Sequence, residues 1–168
     1  MDLRVKLASE AIKLFIVKGS KVKEVPGELK KEKAGVFVSI KKNGALRGCI
    51  GTFLAIKKNI GEEIINNAIA AATEDHRFSP ITEEELPNLK ISVDVLSEPQ
   101  KIKDINELDP KTYGIIIKTN DGRSALLLPD LEGVDTVEEQ INITCQKGDI
   151  DLSNDKLLIY KFTVKRYE

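Results

Sequence analysis

The sequence predicts an α+β fold: a mainly antiparallel sheet with about three main helices. Two observations carry this. Strand-like runs are joined by turns of hairpin type, at Asn43-Gly44 and at Asn120-Asp121-Gly122, which favour antiparallel neighbours. Three stretches with apolar residues at helical spacing lie between those strands.

The first helix is expected over Leu3 to Lys18, where Leu7, Ala11, Leu14 and Phe15 fall on one stripe and Gly19 supplies the C-terminal cap. Residues 20–33 are lysine-rich around Pro26-Gly27 and read as a surface loop. Gly35 to Ile40 reads as a strand, followed by Asn43-Gly44 and a second strand at Leu46–Gly51. Asn59 then caps a second helix, with Glu62 at capping-box spacing. Ile60, Ile64, Ala68, Ala71 and Ala72 line its inner face, and the alanines imply close packing on a sheet. It should end near Thr73–Asp75, ahead of Pro80.

Ile91 to Leu96 alternates cleanly and reads as a half-buried strand. Residues 98–113 read as a connector, and 114–118 and 124–128 as a strand pair. Asp135-Thr136-Val137-Glu138 opens a third helix with capping-box spacing, its inner stripe being Val137, Ile141, Thr144 and Cys145. Leu157 to Val164 is expected as one final alternating strand through Leu158, Tyr160 and Phe162.

Composition narrows the function classes. The 168 residues carry 26 basic and 27 acidic side chains, and 41% of them are hydrophobic, enough for a packed core. The balanced charge disfavours nucleic acid, and the one basic cluster, Lys30-Lys31 with Lys33, is broken by Glu32. The start of the chain lacks the apolar core of a signal peptide, and no apolar run approaches the ~18 residues of a membrane span. A cytoplasmic protein with no membrane association is therefore expected. The lysine- and glutamate-rich charge set leans towards a heat-tolerant source. Two cysteines are too few for a disulfide scaffold, and with a single histidine they make a zinc site improbable. No metal and no cofactor are expected.

Leu46-Arg47-Gly48-Cys49-Ile50-Gly51 places a strong cation, a thiol and two glycines within one strand. Strand alternation puts Arg47, Cys49 and Gly51 on one face, with Arg47 and Cys49 roughly 6.5–7 Å apart along the backbone.

This hexapeptide resembles, letter for letter, the signature of the AMMECR family, whose bacterial and archaeal members are also called AmmeMemoRadiSam system protein A. The resemblance continues through Ala70-Ala71-Ala72 and Asp75-His76-Arg77-Phe78, then through 91–97, Leu126–Pro129 and Cys145-Gln146-Lys147. It covers nearly the whole chain as a single AMMECR-type domain. It implies an α+β protein of two unequal lobes joined by two connections, taken here as residues 1–97 with 151–168 and residues 98–150. It further implies a functional signature near the lobe junction, and a system shared with a Memo-like and a radical SAM protein as possible partners. His76 stands where the family has proline, so the sole histidine is no general base common to the family. The family's Lys-Ala-Gly-Leu is Lys147-Gly148-Asp149-Ile150 here, consistent with an altered helix end.

Each candidate residue has a chemical and a structural reading. Cys49 is a candidate nucleophile or redox thiol, since a nearby guanidinium stabilises a thiolate; alternatively it is a small, buried strand cysteine. Arg47 suits two-point anion binding, or else an internal ion pair with Glu74, Asp75 or Asp94. Gly48 and Gly51 either admit a ligand to the backbone or make a bulge or tight helix contact. Asp75 and Arg77 complete a polar cleft with Arg47, or satisfy the helix end locally. Glu74 is the candidate carboxylate base. His76 reads as exposed and Cys145 as core. Two functions remain open, with enzymatic activity undecided. One is an Arg/Cys-centred pocket for a small anionic molecule or modified peptide; the other is an interaction module that docks a protein through the signature hairpin.

Overall fold

The structure is a computed structural model covering residues 1–168. It has two compact units, residues 1–96 with 165–168 and residues 97–164. The chain is α+β, with two four-stranded sheets. No helix is long and apolar enough to cross a membrane.

The first unit opens with α1 (Leu3–Lys18), capped by the Asp2 carboxylate at one end and by Gly19 in the left-handed conformation at the other. A 3₁₀ turn at Gly27–Lys30 interrupts the lysine-rich loop and buries Leu29. Strands β1 (Val36–Lys42) and β2 (Ala45–Thr52) form a hairpin closed by Lys42 opposite Ala45. Positive φ at both Asn43 and Gly44 matches the turn chemistry that a two-residue hairpin requires. Helix α2 (Ile60–Thr73) follows, its Asn59 side chain accepting the Glu62 N–H. Strand β3 (Leu89–Leu96) pairs antiparallel with β1.

Val36, Val38, Ile40 and Val93 point inward with no exposed surface. Helices α1 and α2 cover this face, and Ile60, Ile64, Ala68, Ala71 and Ala72 of α2 join the same core. Alternation puts Phe37, Ser39 and Lys41 of β1, with Lys90, Ser92 and Asp94 of β3, on the opposite, outer face.

The second unit contains β4 (Gln100–Lys101), β5 (Gly114–Thr119), β6 (Ser124–Leu127), α3 (Val137–Lys147) and β7 (Leu157–Phe162). Its sheet runs in the order β4-β7-β5-β6, and its core gathers Ile115, Ile117, Leu127, Ile141 and Cys145. The connector 98–113 is less irregular than expected, since it holds β4 and a 3₁₀ turn at Ile105–Glu107. Helix α3 is capped one residue later than the sequence spacing suggested: Thr136 accepts the Glu139 N–H, and Glu139 reaches back to the Thr136 N–H.

The last predicted strand is two. β7 stops at Phe162, and β8 (Val164–Tyr167) joins the other sheet, which is ordered β2-β1-β3-β8. Ser97 holds Thr163 at this break, accepting its N–H at 2.9 Å through the hydroxyl. The lobe division read from the sequence, which grouped 151–164 with the larger lobe, differs for the same reason. β7 pairs along its whole length with β5 and so belongs to the second unit.

Candidate functional site

The signature occupies β2, an edge strand of its sheet. Gly48 faces α2, where a Cβ would lie 2.1 Å from the Ala71 carbonyl oxygen. Its missing side chain is what lets the helix lie this close. Gly51 faces outward beneath Phe37, whose ring would meet a Cβ at 2.2 Å. Both glycines thus serve packing.

The β1–β2 register slips by one residue between Ile40 and Lys41. Gly48 lies opposite Ile40 while Leu46 lies opposite Lys41, so Arg47 is the extra residue of a β-bulge. The expected sharing of one face by Arg47 and Cys49 fails at this bulge. Cys49 sits opposite Ser39, with its Sγ 3.2 Å from the Ser39 Oγ on the outer face. Arg47 turns instead to the segment after α2. Its Nε and Nη2 donate to the two Glu85 carboxylate oxygens at 3.0 and 2.9 Å, and its Nη1 and Nη2 to the Ser79 and Pro80 carbonyls. The internal partner of Arg47 is therefore Glu85, and not Glu74, Asp75 or Asp94.

Glu85 also accepts Lys42 Nζ at 2.9 Å and the Thr82 N–H at 3.0 Å. The Arg47 fork, with Thr82 and Lys42 behind it, lowers the Glu85 carboxyl to about 2. One carboxylate thus ties the hairpin tip to the start of β3.

Asp75 and Arg77 act on the open edge of β2. Asp75 Oδ2 accepts the Cys49 N–H at 2.9 Å, and Arg77 Nη2 donates to the Cys49 carbonyl at 3.4 Å. The two side chains pair with each other at 2.7 Å, closing the edge where a neighbouring strand would otherwise bond. Arg77 holds the buried Asp75 carboxyl well below the usual carboxylate range. Glu74, the candidate base, is exposed at the C-cap of α2, and His76 is exposed beside it. Neither the sequence spacing nor the structure gives Cys49 a free carboxylate, since Asp75 is bound by Arg77 and Asp94 by Arg166.

The outer face carries groups that spacing within the signature does not reveal. Asp94, 1% exposed, receives Arg166 Nε and Nη2 at 2.8 and 2.7 Å, leaving the Arg166 side chain 55% exposed. The hydrogen bond to Asp75 raises the Arg77 pKa, and that to Asp94 raises the Arg166 pKa. A cavity of about 700 Å³ wraps this end of the sheet: Ser39, Lys41, Lys90, Ser92 and Arg166 line it from the outer face, and Leu89, Ile91 and, from α1, Val5 and Ser9 line it from the inner side. Glu168 is the only carboxylate on its wall.

Behind the signature, the buried Glu63 accepts Thr52 Oγ1 at 2.6 Å and the N–H groups of Ile56 and Lys57, each at 2.9 Å. This fixes a loop on which Leu54 and Ile56 are 48% and 68% exposed. Sequence reasoning missed Glu63, and the available signal was its place within the inner stripe of α2, one turn after Ile60. No group of three or more His, Cys, Asp and Glu side chains is placed to hold a metal ion.

Fold and site together define an α+β protein of two units, organised around a glycine-bearing hairpin whose cysteine backbone is clamped by an Asp–Arg pair. The AMMECR1 family model matches residues 5–167, and the chain belongs to that family. A Thermotoga maritima protein is 49% identical over 168 residues, with 98% of this chain and 96% of that protein covered. A Clostridium acetobutylicum protein is 47% identical over 171 residues; this spans 99% of the chain but 36% of that protein. The crystal structure of an uncharacterized protein from Pyrococcus horikoshii is similar with a TM-score of 0.86 at 33% identity, over 97% of this chain and 88% of that one.

Proposed function

We propose that the first unit binds a small anionic molecule, or an anionic group on a modified peptide, in the cavity that Ser39, the neighbour of Cys49, lines. The observation that carries this is the cavity wall. Its charged lining is Lys41, Lys90 and Arg166 against one carboxylate, Glu168, and Ser39 and Ser92 add hydroxyls. The unit as a whole has 18 basic and 14 acidic residues, a net +4, which favours anions at long range. A volume of about 700 Å³ lies within the roughly 300–1,000 Å³ typical of small-molecule sites.

In this reading Arg166, half-exposed and oriented by Asp94, takes the anion-binding part that the sequence suggested for Arg47. Arg47 holds the hairpin in shape. Cys49 stands behind Ser39 as the group available for thiol chemistry, and its only side-chain neighbour in hydrogen-bond range is a hydroxyl. Hydroxyls are poor bases, so binding carries the proposal and bond-making does not. The molecule bound would be one handled together with Memo-like and radical SAM proteins, the partners the family resemblance implies. Calorimetric titration with a panel of phosphates and small di- and tricarboxylates tests this. Saturable binding that Lys41→Glu with Lys90→Glu abolishes supports the proposal, and no binding by any member opposes it.

A second reading rests on the Glu63-held loop. Leu54 and Ile56 are exposed on backbone fixed by a buried carboxylate, and Leu46 on the hairpin is 41% exposed. Exposed aliphatic side chains on a rigid loop fit a protein-docking hairpin. Leu54→Ser with Ile56→Ser would then lose a partner without losing anion binding.

A further inference from the structure

The second unit carries a groove unrelated to the signature. Its floor is Leu108 and Ile141, each 7% exposed, and its rim holds Ile105 and Leu152, which are 51% and 45% exposed. The cavity measures about 650 Å³. Seven large hydrophobic residues are exposed in the whole chain, and two of them border this one groove, continuous with buried apolar side chains beneath. Such continuity marks a recognition surface rather than scattered exposure.

We propose that this groove docks a basic amphipathic helix of a partner protein. Charge complementarity identifies the occupant. The second unit has 13 acidic and 8 basic residues, a net −5, in a chain whose other unit is net positive. Glu138 is the only charged residue lining the groove. Acidic residues also neighbour its other segments in the chain: Asp104 before Ile105, Asp109 after Leu108 and Asp151 before Leu152. Lys103 precedes Asp104 in the chain, and of the unit's other cations Lys111, Arg123 and Lys161 are paired with its carboxylates. A helix that presents leucine-like anchors between lysines or arginines would bury the apolar rim and meet the carboxylates.

The groove's walls fix the mode of recognition. They come from the Ile105–Glu107 turn, α3 and the Leu152 loop, and no strand edge is among them. Main-chain pairing of an extended peptide is therefore unavailable, and the lining has neither the aromatic residues of a polyproline groove nor an arginine cluster, so it fits apolar anchors of a helix laid in the groove.

The test uses the full chain and two synthetic amphipathic helices with one leucine face, one otherwise lysine and the other otherwise glutamate. Fluorescence anisotropy gives affinity, and amide shifts of the ¹⁵N-labelled chain give location. The expected result is saturable binding of the lysine peptide, with shifts confined to residues 105–108, 137–142 and 152. The glutamate peptide should bind at least roughly tenfold more weakly. Ile105→Ser with Leu152→Ser should weaken the lysine peptide by a similar factor at unchanged melting temperature, and so should Glu138→Lys. Equal binding of the two peptides, shifts elsewhere, or unchanged affinity in these variants would overturn the proposal. Self-association of the chain through the groove, seen by sedimentation without peptide, would assign the face to a second copy instead.

Discussion

Arg47 and Glu85 form a two-point ion pair at 3.0 and 2.9 Å in which both side chains are about 85% buried (15% and 14% exposed). The most conspicuous cation of the signature is thus spent on the hairpin's own shape. Removing Arg47 leaves Glu85 with Lys42 and the Thr82 N–H but takes away its two-point charged partner, at a cost of about 1.5–3 kcal/mol. Arg47→Ala should therefore lower unfolding free energy by about that amount, measured by urea denaturation. A loss under about 1 kcal/mol would show the guanidinium to be dispensable to the fold.

The same pair sets an acid limit. The Glu85 carboxyl lies at about 2, below its ordinary 4.5, so the native state holds fewer protons than the unfolded chain in this range. Its stabilisation is complete above about pH 5 and is lost as pH falls through about 2, amounting to about 2–3 kcal/mol. Asp75, lowered by Arg77, adds a loss of the same sign. Stability measured against pH should be flatter in Glu85→Gln than in the parent chain between about pH 5 and 2. Parallel curves would show that Glu85 does not titrate with folding.

Gly48 has no room for a methyl group, because a Cβ would lie 2.1 Å from the backbone oxygen of Ala71. Gly48→Ala should cost about 1–3 kcal/mol by forcing α2 away from β2, read as a lower midpoint in thermal unfolding. Gly44→Ala has open space but a positive φ, so its cost is confined to the turn and should leave the α2 contact intact.

The two thiols should separate by accessibility. Cys49 is half-buried on the outer face, whereas Cys145 is 3% exposed in the second core, where burial pushes its thiol pKa up. A thiol reagent should therefore modify one cysteine in the native chain, lost in Cys49→Ser, and the second only after denaturation. Two native thiols of equal rate would contradict this placement.

Much of the fold was legible because local chemistry and tertiary structure agree. The Asn43-Gly44 turn, the Asn59 cap and the alanine stripe of α2 each specify an element without help from distant residues. The site was less legible. Counting back from the turn pairs Cys49 with Val38, and only the bulge at Arg47 moves it opposite Ser39. Nothing in the six residues themselves announces that extra residue. Arg166 lies 72 positions from Asp94, so no spacing rule joins them. The alternation from Leu157 to Val164 is likewise continuous, and the break at Thr163 arises because the chain passes from one sheet to the other.

The proposed site holds an anion through Lys41, Lys90 and Arg166, next to the Ser39 that touches Cys49. Titration of the ¹⁵N-labelled chain with pyrophosphate, read at the amides of Ser39, Lys41, Lys90 and Ser92, is the measurement that decides it. Those amides should shift saturably in the parent chain and stay still in the Lys41→Glu, Lys90→Glu variant, whose two changed side chains are exposed. Shifts of equal size in that variant, or no saturable shift at those four positions, would contradict the assignment.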